Sequence, residues 1–182
     1  MNPERAVKIS KYLAMVLRHK PENAGITLDE AGWVDVSVLL EALRCIGKPL
    51  SRAELDHVVI TNYKKRFAFS DDGLRIRASQ GHSIEIDLNL PPEPPPEVLY
   101  HGTADRTLPA IRQSGLQKRQ RQHVHLSCNT QTASAVGHRH GRPVILTIRA
   151  GDMHRAGLKF YLSTNGVWLT DSVPVEYIVF PA

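Results

Sequence analysis

With 182 residues, 42% of them apolar, the chain has room for one large domain or two small ones and enough core-forming material to exclude global disorder. Its formal charge is +5, and the excess lies late: beyond residue 90, Lys and Arg outnumber Asp and Glu by 10 to 6, against 13 to 12 before it, which suits a phosphate-rich partner. Cys45 and Cys128 have no CxxC spacing and exclude a disulfide framework, and no apolar run has membrane-spanning or signal-peptide character, so a reduced, cytoplasmic setting is expected.

Residues 4–18 carry Ile9, Tyr12, Leu13, Val16 and Leu17 at helical spacing, and Lys20-Pro21 stops that helix. Arg18 and His19 then occupy its last turn, where the helix dipole favours cations. His19 borders the apolar stripe and Arg18 lies away from it. Ile26–Leu28 and Gly32–Val34 read as short extended pieces. Asp35 is placed to cap a helix to about Arg44, and Ser51-Arg52-Ala53-Glu54 is a capping box opening a third helix. Phe67–Phe69 and Leu74–Ile76 flank Ser70-Asp71-Asp72-Gly73, a hairpin entered through Lys64-Lys65-Arg66. Three helices and a two-stranded wing is the order of a winged helix, an analogy of fold and not of function.

Five prolines in residues 91–96 favour polyproline II and mark a linker between a domain 1–90 and a domain 97–182. In the second domain, Val98–His101 reads as a strand running into Gly102-Thr103, with a helix from Arg106 to Ser114 ended by Gly115. His123–Ser127 is a strand, and Asn129 or Thr130 caps a helix to about Arg139. Pro143–Ile148 reads as a strand buried on both faces, residues 151–156 as a short helix, and Phe160–Leu162, Val167–Thr170 and Val175–Phe180 as closing strands. The class is α+β with a mixed or antiparallel sheet. Doubly wound topology is disfavoured, because no helices separate the last three strands.

Strand alternation puts His123, His125 and Ser127 on one face, and Val124 and Leu126 on the other. With Arg121 just upstream, that face suits an anionic ligand, or else is the polar side of a half-buried strand. There is no GxGxxG after a strand, no Walker A loop and no GxSxG elbow. His123, His125, His138 and His140 match no usual zinc spacing, so no metal is expected. What remains are basic clusters at element ends, Arg18-His19, Lys64-Lys65-Arg66 and Arg119–Arg121, whose guanidinium groups match phosphate oxygens or else form solvated surface.

Leu17-Arg18-His19-Lys20-Pro21, Asp29–Val34 with Gly32-Trp33, Lys65-Arg66-Phe67, Tyr100-His101-Gly102-Thr103, Arg121-x-x-Val124-His125-Leu126-Ser127 and Asn165-Gly166-Val167-Trp168-Leu169 together resemble, in order, the motifs of the RNA 2′-phosphotransferase family (Tpt1/KptA). The resemblance implies a winged-helix-like RNA-binding lobe followed by an ADP-ribosyltransferase-like lobe with a split β-sheet that binds NAD⁺. It implies that an internal RNA 2′-phosphate is moved to NAD⁺, a consumed co-substrate. The products are nicotinamide, RNA with a 2′-hydroxyl and ADP-ribose 1″,2″-cyclic phosphate, formed through an ADP-ribosylated RNA.

Carried over residue by residue, Arg18, His19, Arg66 and Arg121 are the catalytic set, with His19 a candidate proton donor. His101, Gly102, Thr103, His125, Ser127 and Val167 line the NAD⁺ site, and Lys65 and Arg119 aid RNA binding. A monomer acting on RNA and NAD⁺, away from membranes, is expected. Two other readings stand beside it: an enzyme that leaves a stable ADP-ribose adduct on a terminal phosphate, and a non-catalytic regulator that senses NAD⁺.

Overall fold

The structure, a computed structural model, describes residues 1–138 and 141–181. The chain folds as two compact units, Met1–Asn89 and Leu90–Ala182. Each has its own buried apolar cluster.

In the first unit, helix α1 (Pro3–Arg18) starts at Asn2, whose side chain accepts the Glu4 N–H, and buries Leu13, Val16 and Leu17. Helix α2 (Val36–Cys45) follows the two-residue strand β1 (Val34–Asp35). Asp35 is the N-cap residue of α2, but its side chain makes no capping bond. Helix α3 (Arg52–Thr61) opens on the full capping box, with Glu54 N–H to Ser51 Oγ at 3.2 Å and Ser51 N–H to Glu54 Oε2 at 3.0 Å.

Strands β2 (Phe67–Phe69) and β3 (Arg75–Ala78) form the hairpin, and β1 adds to the far side of β3, giving an antiparallel order β1-β3-β2. Gly73 closes the turn at φ 68°, a left-handed conformation a side chain would strain. Leu74 therefore belongs to the turn and the second strand starts at Arg75.

The proline-rich stretch belongs to the second unit. Pro92 bridges Tyr161, and Glu93 donates its N–H to the Phe160 carbonyl at 2.8 Å. Strand β4 (Leu99–Ala104) runs antiparallel to a later strand over six residue pairs and includes Gly102 and Thr103. Helix α4 (Leu108–Ser114) is preceded by a 3-10 turn, Asp105–Thr107, and ends at Gly115 with φ 70°. Strands β5 (Leu116–Gln117) and β6 (Val124–Leu126) lead to helix α5 (Thr130–Gly137), capped by Asn129, whose side chain accepts the Thr132 N–H. The expected end of that helix, Arg139, lies outside the described residues.

Strand β7 (Pro143–Ile148), helix α6 (Ala150–Arg155), and strands β8 (Tyr161–Leu162), β9 (Trp168–Thr170), β10 (Ser172–Val173) and β11 (Ile178–Val179) complete the unit. Among the described residues three antiparallel sheets result, β11-β7-β4, β6-β9-β8 and β10-β5. The class is α+β.

Two strand expectations need correction, and one strand pair is new. Only Leu146 and Ile148 of β7 are buried, while Pro143, Val144, Ile145 and Thr147 stay half-buried. Val175–Tyr177 is a 3-10 turn rather than strand, since Pro174 fixes its own φ and the Tyr177 N–H bonds back to its carbonyl at 3.1 Å. The β5–β10 pair was not foreseen from two-residue segments that show no alternation.

Candidate functional site

Arg18 ends α1 half-buried, and His19 is its exposed C-cap residue, with φ −129° and its N–H donated to the Met15 carbonyl. This reverses the expected order of burial: helix angle alone ignores the non-helical backbone of His19, which turns its ring outward. The His19 Nδ1 lies 2.8 Å from Ser83 Oγ. Ser83 also donates its N–H to the Arg18 carbonyl at 3.0 Å, so a C-terminal carbonyl without a helical partner is satisfied.

Lys65 and Arg66 follow α3 on a turn organised by Asn62. The Asn62 carbonyl accepts the Lys65 N–H at 2.7 Å, its Oδ1 accepts the Lys64 N–H at 3.1 Å, and its Nδ2 donates to Ser10 Oγ at 2.7 Å. Lys65 itself has φ 42°, and Arg66 Nη1 donates to the same Ser10 hydroxyl at 3.4 Å. Ser79 fastens the far side of the turn, its hydroxyl to the Lys65 carbonyl at 2.8 Å and its N–H to the Arg66 carbonyl at 2.9 Å.

The surroundings are cationic. His82 is buried at 2% exposure, and its pKa is pushed down to about 4, first by burial and then by the charges of Arg18, His19 and Arg77. A neutral ring beside that cluster adds no further positive charge near neutral pH.

In the second unit, β4 meets the residue that follows β6 at a bridge, Tyr100 to Ser127, closed by two backbone bonds of 2.8 Å. β4 then continues against β7 and β6 against β9, so the two sheets part from this point. His101 spans the parting, donating Nδ1–H to the His125 carbonyl at 3.0 Å. Its pKa is lowered by burial and by the charge of Arg121, against the opposing pull of the His125 carbonyl. Near neutral pH the ring is neutral with Nε2 an acceptor.

Arg121 leaves a turn in which its N–H bonds to the Lys118 carbonyl at 3.0 Å and Arg119 takes φ 52°. Its Nη1 donates to His125 Nδ1 at 2.7 Å. That bond uses the lone pair of Nδ1 and leaves Nε2–H as the donor of a neutral His125 ring. One acceptor imidazole, one donor imidazole and a guanidinium thus meet where the sheets divide.

Thr103 Oγ1 lies 2.6 Å from Thr107 Oγ1, which in turn bonds to the Ala104 carbonyl. A Cβ on Gly102 would sit 1.6 Å from the Ala133 carbonyl oxygen, and one on Gly137 would sit 2.7 Å from the Thr103 carbonyl oxygen. These two glycines let α5 lie directly on β4. Ser127 serves through its backbone, and His123 stacks edge-on against Tyr161 with centroids 5.7 Å apart. Val167 is half-buried and exchanges bonds with Ser163, entering β9 where the β6 register runs on toward Ser127.

Arg18, His19, Lys65 and Arg66 therefore lie in the first unit, and the other predicted residues in the second. Among the described residues, no group of three or more His, Cys, Asp or Glu side chains is placed to hold a metal ion, and His140 lies outside them. Nor is any helix among them long and apolar enough to cross a membrane. Reading the sequence missed the supports Ser10, Asn62, Ser79 and Ser83. A faint signal existed in Ser10, a hydroxyl beside Ile9 on the packed side of an amphipathic helix.

A family model described as RNA 2′-phosphotransferase, Tpt1/KptA family, matches residues 4–172. The chain is similar to a probable RNA 2′-phosphotransferase of Streptomyces coelicolor, 56% identical over 100% of this chain and 99% of that protein. Similar proteins of the same description occur in Flavobacterium johnsoniae (54% identical, 99% of both chains) and Burkholderia pseudomallei (49% identical, 97% of this chain and 96% of that one). The match spans the six motifs, from Leu17 to Leu169, and the chain belongs to the RNA 2′-phosphotransferase family.

Proposed function

We propose that the chain removes an internal 2′-phosphate from RNA by passing it to NAD⁺. Met1–Asn89 is read as a winged-helix-like RNA-binding lobe and Leu90–Ala182 as an ADP-ribosyltransferase-like lobe. The observation that carries the reading is the meeting of His101, His125 and Arg121 at the parting of β4 and β6. Such a cleft needs no glycine-rich loop. An acceptor at His101 Nε2 suits a ribose hydroxyl, a donor at His125 Nε2 suits an anionic or carbonyl oxygen, and Thr103 adds a hydroxyl. NAD⁺ fits that donor set, with Gly102, Ser127 and the apolar Val167 completing the assigned residues.

A phosphate monoester is largely ionised near neutral pH, so attack on the ribose C1″ with loss of nicotinamide needs positioning and charge screening rather than a strong base. Arg18, Arg66 and Arg121 are assigned to the phosphate oxygens. When the ribose O2″ then attacks phosphorus, charge builds on the transferring group, where fixed cations act. His19 is assigned the proton delivered to the departing RNA 2′-oxygen. Lys65 and Arg119 are assigned to the RNA backbone.

The test uses an RNA with one internal 2′-phosphate, with and without NAD⁺, and mass spectrometry of all products. Nicotinamide, 2′-hydroxyl RNA and a cyclic phosphate of ADP-ribose are expected; turnover without NAD⁺, or a retained ADP-ribose adduct as the end product, would refute the proposal. Alanine at Arg18, Arg66 or Arg121 should each slow phosphate removal by about 10²–10³, the usual cost of one preorganised charge donor, with the melting temperature little changed.

A further inference from the structure

Apart from the residues assigned to the phosphate, one short segment grips both basic sites of the first unit. It follows β3 and holds two serines four positions apart, Ser79 and Ser83. Ser79 binds the Lys65 carbonyl through its hydroxyl and the Arg66 carbonyl through its N–H. Ser83 binds the Arg18 carbonyl through its N–H and meets His19 Nδ1 through its hydroxyl at 2.8 Å. Each serine therefore holds two consecutive residues of a basic site, once from the backbone and once from the side chain. Between them, the buried His82 ring pins the segment: a Cβ on Gly32 would lie 3.4 Å from its Nε2.

We infer that Ser83 is a positioning residue for His19, and that the 79–83 segment is the brace fixing Arg18-His19 and Lys65-Arg66 in register. The inference rests on the role proposed above for His19. The Ser83 hydroxyl occupies Nδ1 and sets the plane of the ring. Nε2–H is then the proton His19 can give away. In the step concerned, ribose O2″ bonds to phosphorus and loses its proton to solvent. The phosphorus–O2′ bond breaks with its electron pair staying on O2′, which takes the proton from His19 Nε2. Losing the hydroxyl removes the contact that sets the ring at Nδ1, so the cost falls on this step and not on substrate binding.

The experiment is a single-turnover and steady-state comparison of wild type, S83A, S83T and H19A, with 2′-phosphorylated RNA and NAD⁺. Ser83 is exposed, so the added methyl of S83T has room while the hydroxyl is kept. S83A should release 2′-hydroxyl RNA about tenfold more slowly, a modest part of what general acid catalysis supplies. ADP-ribosylated RNA should build up, KM values should stay within about twofold, and S83T should recover most of the rate. Wild-type kinetics in S83A, a defect confined to KM, or S83T as slow as S83A would overturn the inference. H19A at the wild-type rate would instead remove the reading of the site beneath it; a slow H19A beside a normal S83A removes the inference alone.

Discussion

His82 is neutral in the folded protein, and folding depends on that. Its pKa of about 4 lies below the ordinary 6.5, so between those values the unfolded chain binds the proton more readily than the folded one. Stability is therefore full above about pH 6.5 and is lost as pH falls toward 4, by at most about 3 kcal/mol for a shift of this size. Urea unfolding followed from pH 7 to 4 should show the loss, and a His82→Gln variant should flatten it. A second single-residue outcome concerns Asn62, buried and bonded to Ser10, Lys64 and Lys65. Asn62→Ala should leave Ser10 and the turn unsatisfied and cost about 1–3 kcal/mol in chemical denaturation, with weaker RNA binding as the Lys65-Arg66 turn loosens. The Arg and His residues of the six motifs were legible as candidates because their types announce chemistry. The anchors Asn62, Ser79 and Ser83 were not, because serine and asparagine occur in any loop and only the three-dimensional partners give them meaning.

At the level of elements, α5 and β4 are matched by two glycines rather than by apolar side chains. A Gly102→Ala change must push the helix off the strand, since its Cβ would meet a backbone oxygen at 1.6 Å that no rotamer change can move. A loss of about 3 kcal/mol or more is expected in thermal unfolding, together with activity. Helices with caps or proline stops were readable in outline: α1 runs Pro3–Arg18 against 4–18 expected, and the Ser51–Glu54 box forms as its spacing required. Two-residue strands such as β5 and β10 were not, because a ladder of two pairs leaves no periodic trace. β7 misled for a related reason. Its run Pro-Val-Ile-Leu-Thr-Ile reads as doubly buried, but composition cannot tell a face covered by a full helix from one covered by the eight residues of α5.

For the whole molecule, charge is the quantity that reaches beyond single contacts. A formal charge of +5, with the excess after residue 90, sets a long-range pull on a polyanion. RNA affinity should fall with salt with a slope of about −0.7 per phosphate neutralised on a single strand. Lys65→Ala or Arg119→Ala should each lower the slope by about that amount in a fluorescence titration, with kcat nearly intact. An unchanged slope in both would remove the two residues from the RNA path. Two separate apolar clusters also mean that each unit holds its fold by its own packing. The proline run stands out in composition, whereas the pairing of Pro92 with Tyr161 does not, since an edge bridge is made by backbone alone.

The bridge between Tyr100 and Ser127 has one more property. Its two amide hydrogens are donated across the line along which the sheets separate, so their exchange with deuterated water measures how often that line opens. With NAD⁺ in the place proposed for it beside His101 and His125, exchange at these two amides is expected to slow when NAD⁺ is added, a gauge of occupancy readable at two backbone positions without any label.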